Sequence, residues 1–160
     1  MVRRPATTLV ACLVVAGTVS TAVGAAPQRP ARPATDVGGT VAAGTVWTKG
    51  GSPYVTTSSV QVPAGVTLVI EPGVTVKLGS YHSLTVAGAL QAVGSPTEVV
   101  RFEAASAEPW GGVQFAAGSG ASEVGHVEFV GVGAGLREMV GIASDAVVIH
   151  HALLTAGKGL

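Results

Sequence analysis

Apolar residues recur at every second position in short segments of this 160-residue chain. Three segments follow one another closely, with apolar residues at Val60 and Val62, at Val66, Leu68 and Ile70, and at Val74, Val76 and Leu78. A period of two places alternate side chains on one face of a β-strand. The separators, Pro63–Gly65 and Glu71–Gly73, contain Pro and Gly and redirect the chain without closing a two-residue hairpin. The pattern therefore predicts consecutive strands that are not paired as hairpins.

The alternation continues toward the end of the chain. It recurs at Leu84 and Val86, Val100 and Phe102, Val113 and Phe115, Val127 and Phe129, and Val147 and Ile149. The last two pairs are offset by twenty residues, which predicts a repeat of about that length. A unit so short cannot bury its own apolar face and must stack on its neighbours. With about five inward side chains, each coil gains on the order of 10 kcal/mol before conformational entropy is subtracted.

These patterns predict an all-β solenoid over residues 40–160, with about four to five coils. The alternative is a helix over Ala134–Leu154, where several apolar residues fall near one helical face. The glycines at 133, 135 and 141 and the β-branched residues Val147–Ile149 disfavour that helix.

The first 39 residues have a different character. Arg3 and Arg4 precede an apolar run, Thr8–Val19, which is followed by small residues. This order is typical of a secretory signal peptide, with cleavage expected after Ala25. The alternatives are a retained membrane anchor and lipidation at Cys12, but the run is shorter than about 20 strongly apolar residues. Residues 26–39 are rich in proline and are predicted to form a flexible linker.

The expected export limits which partners and which covalent cross-links the protein can have. The chain contains nine basic and nine acidic residues, and cleavage after Ala25 would leave seven and nine, a net charge of −2. This balance argues against nucleic acid or an anionic membrane as a partner. Cys12, the only cysteine, would leave with the signal peptide, so the exported protein would form no disulfide. We expect a secreted or cell-surface protein stabilised by packing alone.

Three segments together resemble a known family. They are SPYVTTSSVQVPAGVTLVIEPGVTVKLGSYHSLTVAGALQAVGSPTEVVRFEA (52–104), EPWGGVQFAAGSGASEVGHVEFVGVGAG (108–135) and VGIASDAVVIHHALLTAGKGL (140–160). The first resembles the opening of secreted bacterial right-handed parallel β-helix repeat proteins of the pectin-lyase-like superfamily, the second resembles their next coil, and the third is similar to their later repeating coil. The resemblance implies a right-handed parallel β-helix, comprising an N-terminal cap and the first coils.

The chain departs from that family in two ways. Family members often stack asparagine in a buried ladder, and this chain contains no asparagine. They also have many more coils, and Leu160 falls in mid-pattern, so we expect a fold truncated at its C-terminus. The superfamily includes lyases, hydrolases and adhesins, so the resemblance predicts the fold and leaves the function open.

Polysaccharide lyases on this fold use clustered acids to hold calcium and a basic residue to take a proton. The acids here stand singly, at Glu71, Glu98, Glu103, Glu123, Glu128 and Asp145. Of the candidate bases, Arg101 and Arg137, the first lies between two apolar residues and is predicted to face outward, as are Glu103 and Glu128. We therefore predict no catalytic residue and no cofactor.

The adjacent residues His150 and His151 are the most conspicuous candidates for a metal site. Neighbouring residues of a strand point to opposite faces, so we predict that they do not bind one ion. No metal site is predicted elsewhere in the chain.

Five residues could stack on sugar rings: Trp47, Tyr54, Tyr81, His82 and Trp110. Trp110 precedes two glycines and is expected to pack over a turn, whereas Tyr81 and His82 follow Gly79–Ser80 and are the better surface candidates. These residues favour a non-catalytic extracellular protein that contacts polysaccharide or cell-envelope glycan.

Two other functions remain open from the sequence. The chain could be the N-terminal part of a polysaccharide lyase or glycoside hydrolase whose catalytic coils lie beyond residue 160. It could also be a structural spacer, in which case open parallel strands at an uncapped end predict self-association.

Overall fold

The computed structural model describes residues 32–132 and 140–157. The predicted signal peptide, the first part of the predicted linker, Arg137 and residues 158–160 lie outside the described residues. The strands are β1 (Thr35–Thr40), β2 (Val46–Trp47), β3 (Tyr54–Val62), β4 (Thr67–Ile70), β5 (Thr75–Leu78), β6 (Leu84–Val86), β7 (Ala89–Val93), β8 (Val100–Ala104), β9 (Val113–Phe115), β10 (Ser122–Val132), β11 (Val140–Ile142) and β12 (Val147–Gly157). A 3-10 turn at Lys49–Gly51 is the one helical element within these ranges.

All the strand pairings are parallel, and they arrange the strands in three columns, which we call faces A, B and C. Face A contains the starts of β1 and β3, then β5, β8 and the ends of β10 and β12. Face B contains the ends of β1 and β3, then β6, β9 and β11. Face C contains β2, β4, β7 and the starts of β10 and β12. The chain visits A, B and C in turn and returns to A one coil further on.

This arrangement is a parallel β-solenoid of about four turns. It confirms the predicted all-β fold of stacked coils. The strands β11 and β12 occupy most of the segment for which a helix was the alternative, so that alternative is wrong for the described residues. The β-branched residues at the start of β12 favour this extended backbone.

The length of a coil differs from the predicted repeat of twenty residues. On face B, Val60 pairs with Leu84, Leu84 with Val113, and Val113 with Val140, so successive coils contain 24, 29 and 27 residues. The predicted repeat was wrong because it joined two faces. Val127 lies on face A, whereas Val147 lies on face C and pairs with Ser122. Alternation identifies a strand but does not show which face carries it.

The core consists of inward side chains aligned from coil to coil. On face A, Tyr54 pairs with Val76, Val76 with Phe102, and Phe102 with Phe129. The rings of Phe102 and Phe129 stack with centroids 5.3 Å apart and planes inclined by 11°. One coil alone buries Val74, Val76, Leu78, Leu84, Val86, Leu90 and Ala92. The alternate positions identified in the sequence are therefore the interior of the solenoid.

The solenoid begins earlier than residue 40. Thr35 pairs with Tyr54 and Gly39 pairs with Val60, so the last part of the predicted linker belongs to β1. Only Val37 of these residues packs on the core. Backbone hydrogen bonds to β3, rather than an apolar pattern, place this strand, and so the sequence pattern did not reveal it.

The corner between faces B and C brings consecutive coils very close together. A Cβ atom on Gly88 would collide with the carbonyl oxygens of Pro63 and Val66 in the preceding coil. Gly120 occupies the same corner one coil later, but a Cβ atom there would have its nearest neighbours at 3.6 Å. Neither glycine has a positive φ, so the two positions differ in space and not in backbone strain.

We predict that Gly88→Ala lowers the free energy of unfolding by about 1–3 kcal/mol, because the backbone must move to admit the methyl group. The matched control, Gly120→Ala, should change it by less than about 1 kcal/mol, because that space is open. Urea unfolding followed by tryptophan fluorescence measures both values. Equal destabilisation by the two substitutions would contradict the close approach at Gly88.

Candidate functional site

Three of the five aromatic or imidazole side chains predicted to contact sugars are in the interior. Trp47, Tyr54 and Trp110 are 4%, 6% and 3% exposed. Trp47 and Tyr54 stack with centroids 5.1 Å apart, and the Tyr54 hydroxyl accepts a hydrogen bond from the Thr48 N–H at 2.8 Å. For Trp47 and Tyr54 the prediction of a carbohydrate contact is wrong, because the pleat directs their rings into the core. Trp110 is also buried, which agrees with the expectation that it packs at its turn.

Trp110 packs beneath its turn, as its position before Gly111 suggested. Its indole N–H has no hydrogen-bond partner among the described residues. The ring therefore contributes apolar packing to the core and no surface chemistry.

Tyr81 is the exposed member of the predicted set, with 71% of its surface accessible. It lies at the corner between faces A and B and has a φ of 61°, in the left-handed region that few non-glycine residues adopt. Its backbone N–H donates to the Pro109 carbonyl at 2.9 Å, which ties this corner to the next coil. The ring thus projects from a corner that is held on both sides by the solenoid.

His82 supports that corner from within. Its Nδ1 lies 3.1 Å from both the hydroxyl and the carbonyl oxygen of Thr56 in the preceding coil. The same Thr56 hydroxyl accepts the Gly79 N–H at 2.9 Å, and the His82 N–H donates to the Gly79 carbonyl at 3.0 Å. His82 is half-buried, and we assign it a structural role in the Tyr81 turn rather than a contact with sugar.

Thr56 was not identified from the sequence. It is buried, although polar, at an inward position of β3 two residues after Tyr54. The available signal was this polar residue in an otherwise apolar alternation, since a buried hydroxyl requires a hydrogen-bond partner.

Hydroxyl groups lie beside Tyr81 along the axis of the solenoid. The hydroxyl oxygens of Ser80 and Ser106, from consecutive coils, are 3.1 Å apart. Ser106 also accepts the backbone N–H of Glu108, whose side chain is exposed. We call Ser80, Tyr81, Ser106 and Glu108 the Tyr81 surface. It combines one exposed aromatic ring, which has an apolar face, with several hydrogen-bonding groups.

Two carboxylates of face A, those of Glu103 and Glu128, are engaged in ion pairs. Glu103 lies 2.9 Å from Lys77, and Glu128 lies 2.6 Å from Arg101. These residues face outward, as their alternation with apolar neighbours predicted. Each carboxylate has a cationic partner from an adjacent coil, so this row neutralises the outer face and does not form a cluster of free acids.

A second polar corner lies between faces C and A, and we call it the histidine corner. It contains Glu123 and His126 from β10 and His150 and His151 from β12. The His150 and His151 Nδ1 atoms are 3.0 Å apart, and the His126 and His151 rings stack with centroids at 4.4 Å. His150 Nε2 lies 3.2 Å from a Glu123 carboxylate oxygen.

The prediction that His150 and His151 point to opposite faces is therefore wrong. His151 has a φ of 51°, and His126 directly below it has a φ of 47°. A left-handed residue interrupts the pleat, so consecutive side chains can lie on the same side of the chain. Even so, no group of three or more His, Cys, Asp or Glu side chains within residues 32–132 and 140–157 is arranged to hold a metal ion.

The described part of the chain contains no helix with the length and apolar character needed to cross a membrane.

Comparisons with known proteins show a partial similarity. No family model matches the chain, and no solved structure matches it. The chain is 38% identical over 60 residues to the protein named Protein bark beetle from Drosophila melanogaster. The aligned segment covers 38% of this chain and 2% of the length of that protein.

We predict that Thr56→Val lowers the free energy of unfolding by about 1–3 kcal/mol, because the Gly79 N–H loses its acceptor. Thr67→Val is the matched control, since Thr67 is exposed on β4, and should change it by less than about 0.5 kcal/mol. Denaturant unfolding measures both variants, and amide exchange at Gly79 should accelerate only in the first. Unchanged exchange at Gly79 would show that Thr56 does not hold the turn.

Proposed function

We propose that this protein is an extracytoplasmic, non-catalytic β-helix protein that contacts polysaccharide or cell-envelope glycan through the Tyr81 surface. The observation that carries the proposal is the exposed Tyr81 ring at a corner where hydrogen bonds to two other coils restrain the backbone.

The chemistry of the Tyr81 surface suits a sugar. An aromatic ring offers an apolar face to the C–H groups of a pyranose and a hydroxyl group at its edge. The Ser80 and Ser106 hydroxyls and the Glu108 carboxylate provide donors and acceptors for the sugar hydroxyl groups. The turn that carries Tyr81 is restrained by hydrogen bonds to both neighbouring coils, so binding requires little additional loss of backbone conformational entropy.

The non-catalytic assignment is supported by the state of the described carboxylates. Glu103 and Glu128 of face A are paired with Lys77 and Arg101, Glu98 forms an ion pair with the Lys49 ammonium group, and Glu71 accepts the backbone N–H of Lys49. Glycoside hydrolases typically place two carboxyl groups on either side of the scissile bond, and polysaccharide lyases on this fold use clustered acids to hold calcium beside a basic residue.

The proposal includes membership of the pectin-lyase-like superfamily and export from the cell. The parallel coils agree with the fold of the pectin-lyase-like superfamily, and residues 52–104 resemble the opening coils of its members. A right-handed helix is favoured because parallel crossovers are right-handed in about 98% of cases. The charged, apolar and small residues of positions 1–25 support export by a signal peptide. On this proposal the protein is a secreted or cell-surface member of that superfamily.

We predict that the protein is retained on columns of insoluble polysaccharide, with pectin, cellulose and peptidoglycan as the matrices to compare. Tyr81→Ala should weaken binding about fivefold or more, because a stacked ring contributes about 0.5–1.5 kcal/mol beyond its buried area. Tyr81→Phe should keep most of the retention, because it preserves the ring. Val99→Ala is the control, since it removes an exposed apolar side chain at another corner.

Two results would oppose this function. The absence of retention on every matrix would remove the glycan as a partner. Retention that is equal in Tyr81→Ala and the unmodified protein would remove the Tyr81 surface as the point of contact.

A further inference from the structure

The geometry of the histidine corner points to a second binding site, for a divalent late first-row transition metal ion held by His150 Nδ1 and His151 Nδ1. This site is independent of the Tyr81 surface and of the proposed contact with glycan. Water molecules would complete the coordination, because only two protein nitrogens converge there.

The spacing of the two nitrogens is that of two ligands on one metal ion. His150 Nδ1 and His151 Nδ1 are 3.0 Å apart. Metal–nitrogen bonds of about 2.0–2.1 Å separate two ligand atoms by roughly 2.9–3.4 Å between square and tetrahedral angles. The two Nδ1 atoms therefore need little movement to share an ion.

Glu123 prepares His150 for this role. The carboxylate lies 3.2 Å from Nε2 and favours the tautomer that carries its proton there, in which the Nδ1 lone pair of the neutral His150 ring faces His151. A histidine that binds a metal ion almost always donates its other ring N–H to a carboxylate, a carbonyl group or water. The arrangement of Glu123, His150 and the shared space beyond Nδ1 follows that rule.

The backbone holds both rings in place. Gly125 pairs with His150 in the register of β10 and β12, and a Cβ atom on Gly125 would collide with the His150 ring. The His126 ring lies against the His151 ring with their planes inclined by 12°. A glycine below one ring and a stacked imidazole beside the other thus limit the positions that the two rings can adopt.

The kind of metal ion follows from the imidazole ligands and from the solvent exposure of His151. Imidazole nitrogen suits Zn²⁺, Cu²⁺ and Ni²⁺, whereas Ca²⁺ and Mg²⁺ prefer oxygen. His151 is exposed, so an ion can enter from solvent and keep bound water. The general order of affinities predicts that Cu²⁺ binds more tightly than Zn²⁺.

The experiment uses the full chain without a polyhistidine tag, with Cys12→Ser in every variant so that the thiol cannot bind the ion. Calorimetric titration with Zn²⁺ should show one ion per chain, and Cu²⁺ should bind more tightly. Long-range imidazole ¹⁵N NMR of the unsubstituted histidines should show Zn²⁺ bound to Nδ1 of His150 and His151.

Four variants separate the site from adventitious binding. His150→Ala and His151→Ala should each weaken Zn²⁺ binding about tenfold or more, and Glu123→Ala should weaken it about 10–100-fold. Gly125→Ala keeps every nitrogen but displaces the His150 ring, and should also weaken binding. His82→Ala is the matched control, because it removes a histidine outside this corner and should leave the affinity unchanged.

The inference is overturned if the full chain binds no Zn²⁺, or if Zn²⁺ leaves both Nδ1 resonances unchanged. It is also overturned if the His150→Ala and His151→Ala variants, shown to be folded by circular dichroism, bind as tightly as the His82→Ala control. The NMR measurement needs no substitution at the site, so a variant that fails to fold does not prevent a decision. Loss of this site would leave the glycan proposal intact.

Discussion

The structure depends on the contact between one coil and the next. No strand pairs with its immediate successor as a hairpin, and every backbone ladder in the described ranges joins residues more than fifteen positions apart. A single coil has its apolar side chains on the inside and no layer of its own to cover them. Stacks such as Val76, Phe102 and Phe129 therefore provide the hydrophobic stabilisation that a hairpin or a helix would obtain locally.

The stacking of coils determines where a side chain is available to bind a ligand. The interior is occupied by aligned apolar residues, and the outer side of face A is neutralised by pairs such as Arg101 and Glu128. The corners remain, because there the chain leaves the pleat and a side chain can project in a new direction. The three non-glycine residues with positive φ in the described part of the chain, Tyr81, His126 and His151, all lie at the two polar corners. Such conformations cost free energy and persist where the surrounding structure imposes them.

The Tyr81 corner and the histidine corner are both held by contacts between consecutive coils, but they present different side chains. At the first, Thr56 and His82 from consecutive coils restrain a turn that presents Tyr81 to solvent. At the second, β10 and β12 place equivalent turns one above the other, so that His126 stacks on His151. In both cases a residue of one coil positions a residue of the next, and the solenoid supplies rigidity that a free loop lacks.

The alternation of apolar residues by itself determined the fold class, because a period of two with Pro and Gly separators leaves few ways to bury one face of each strand. It also determined that Arg101, Glu103 and Glu128 face outward. It could not determine the length of a coil, since equivalent pairs such as Val127 and Val147 lie on different faces. Only the tertiary structure decided the sites: it buried Trp47, Tyr54 and Trp110 and brought His150 and His151 together. The physical reason is that corner backbone and coil register, which direct those side chains, arise from contacts between coils and not from the local pattern.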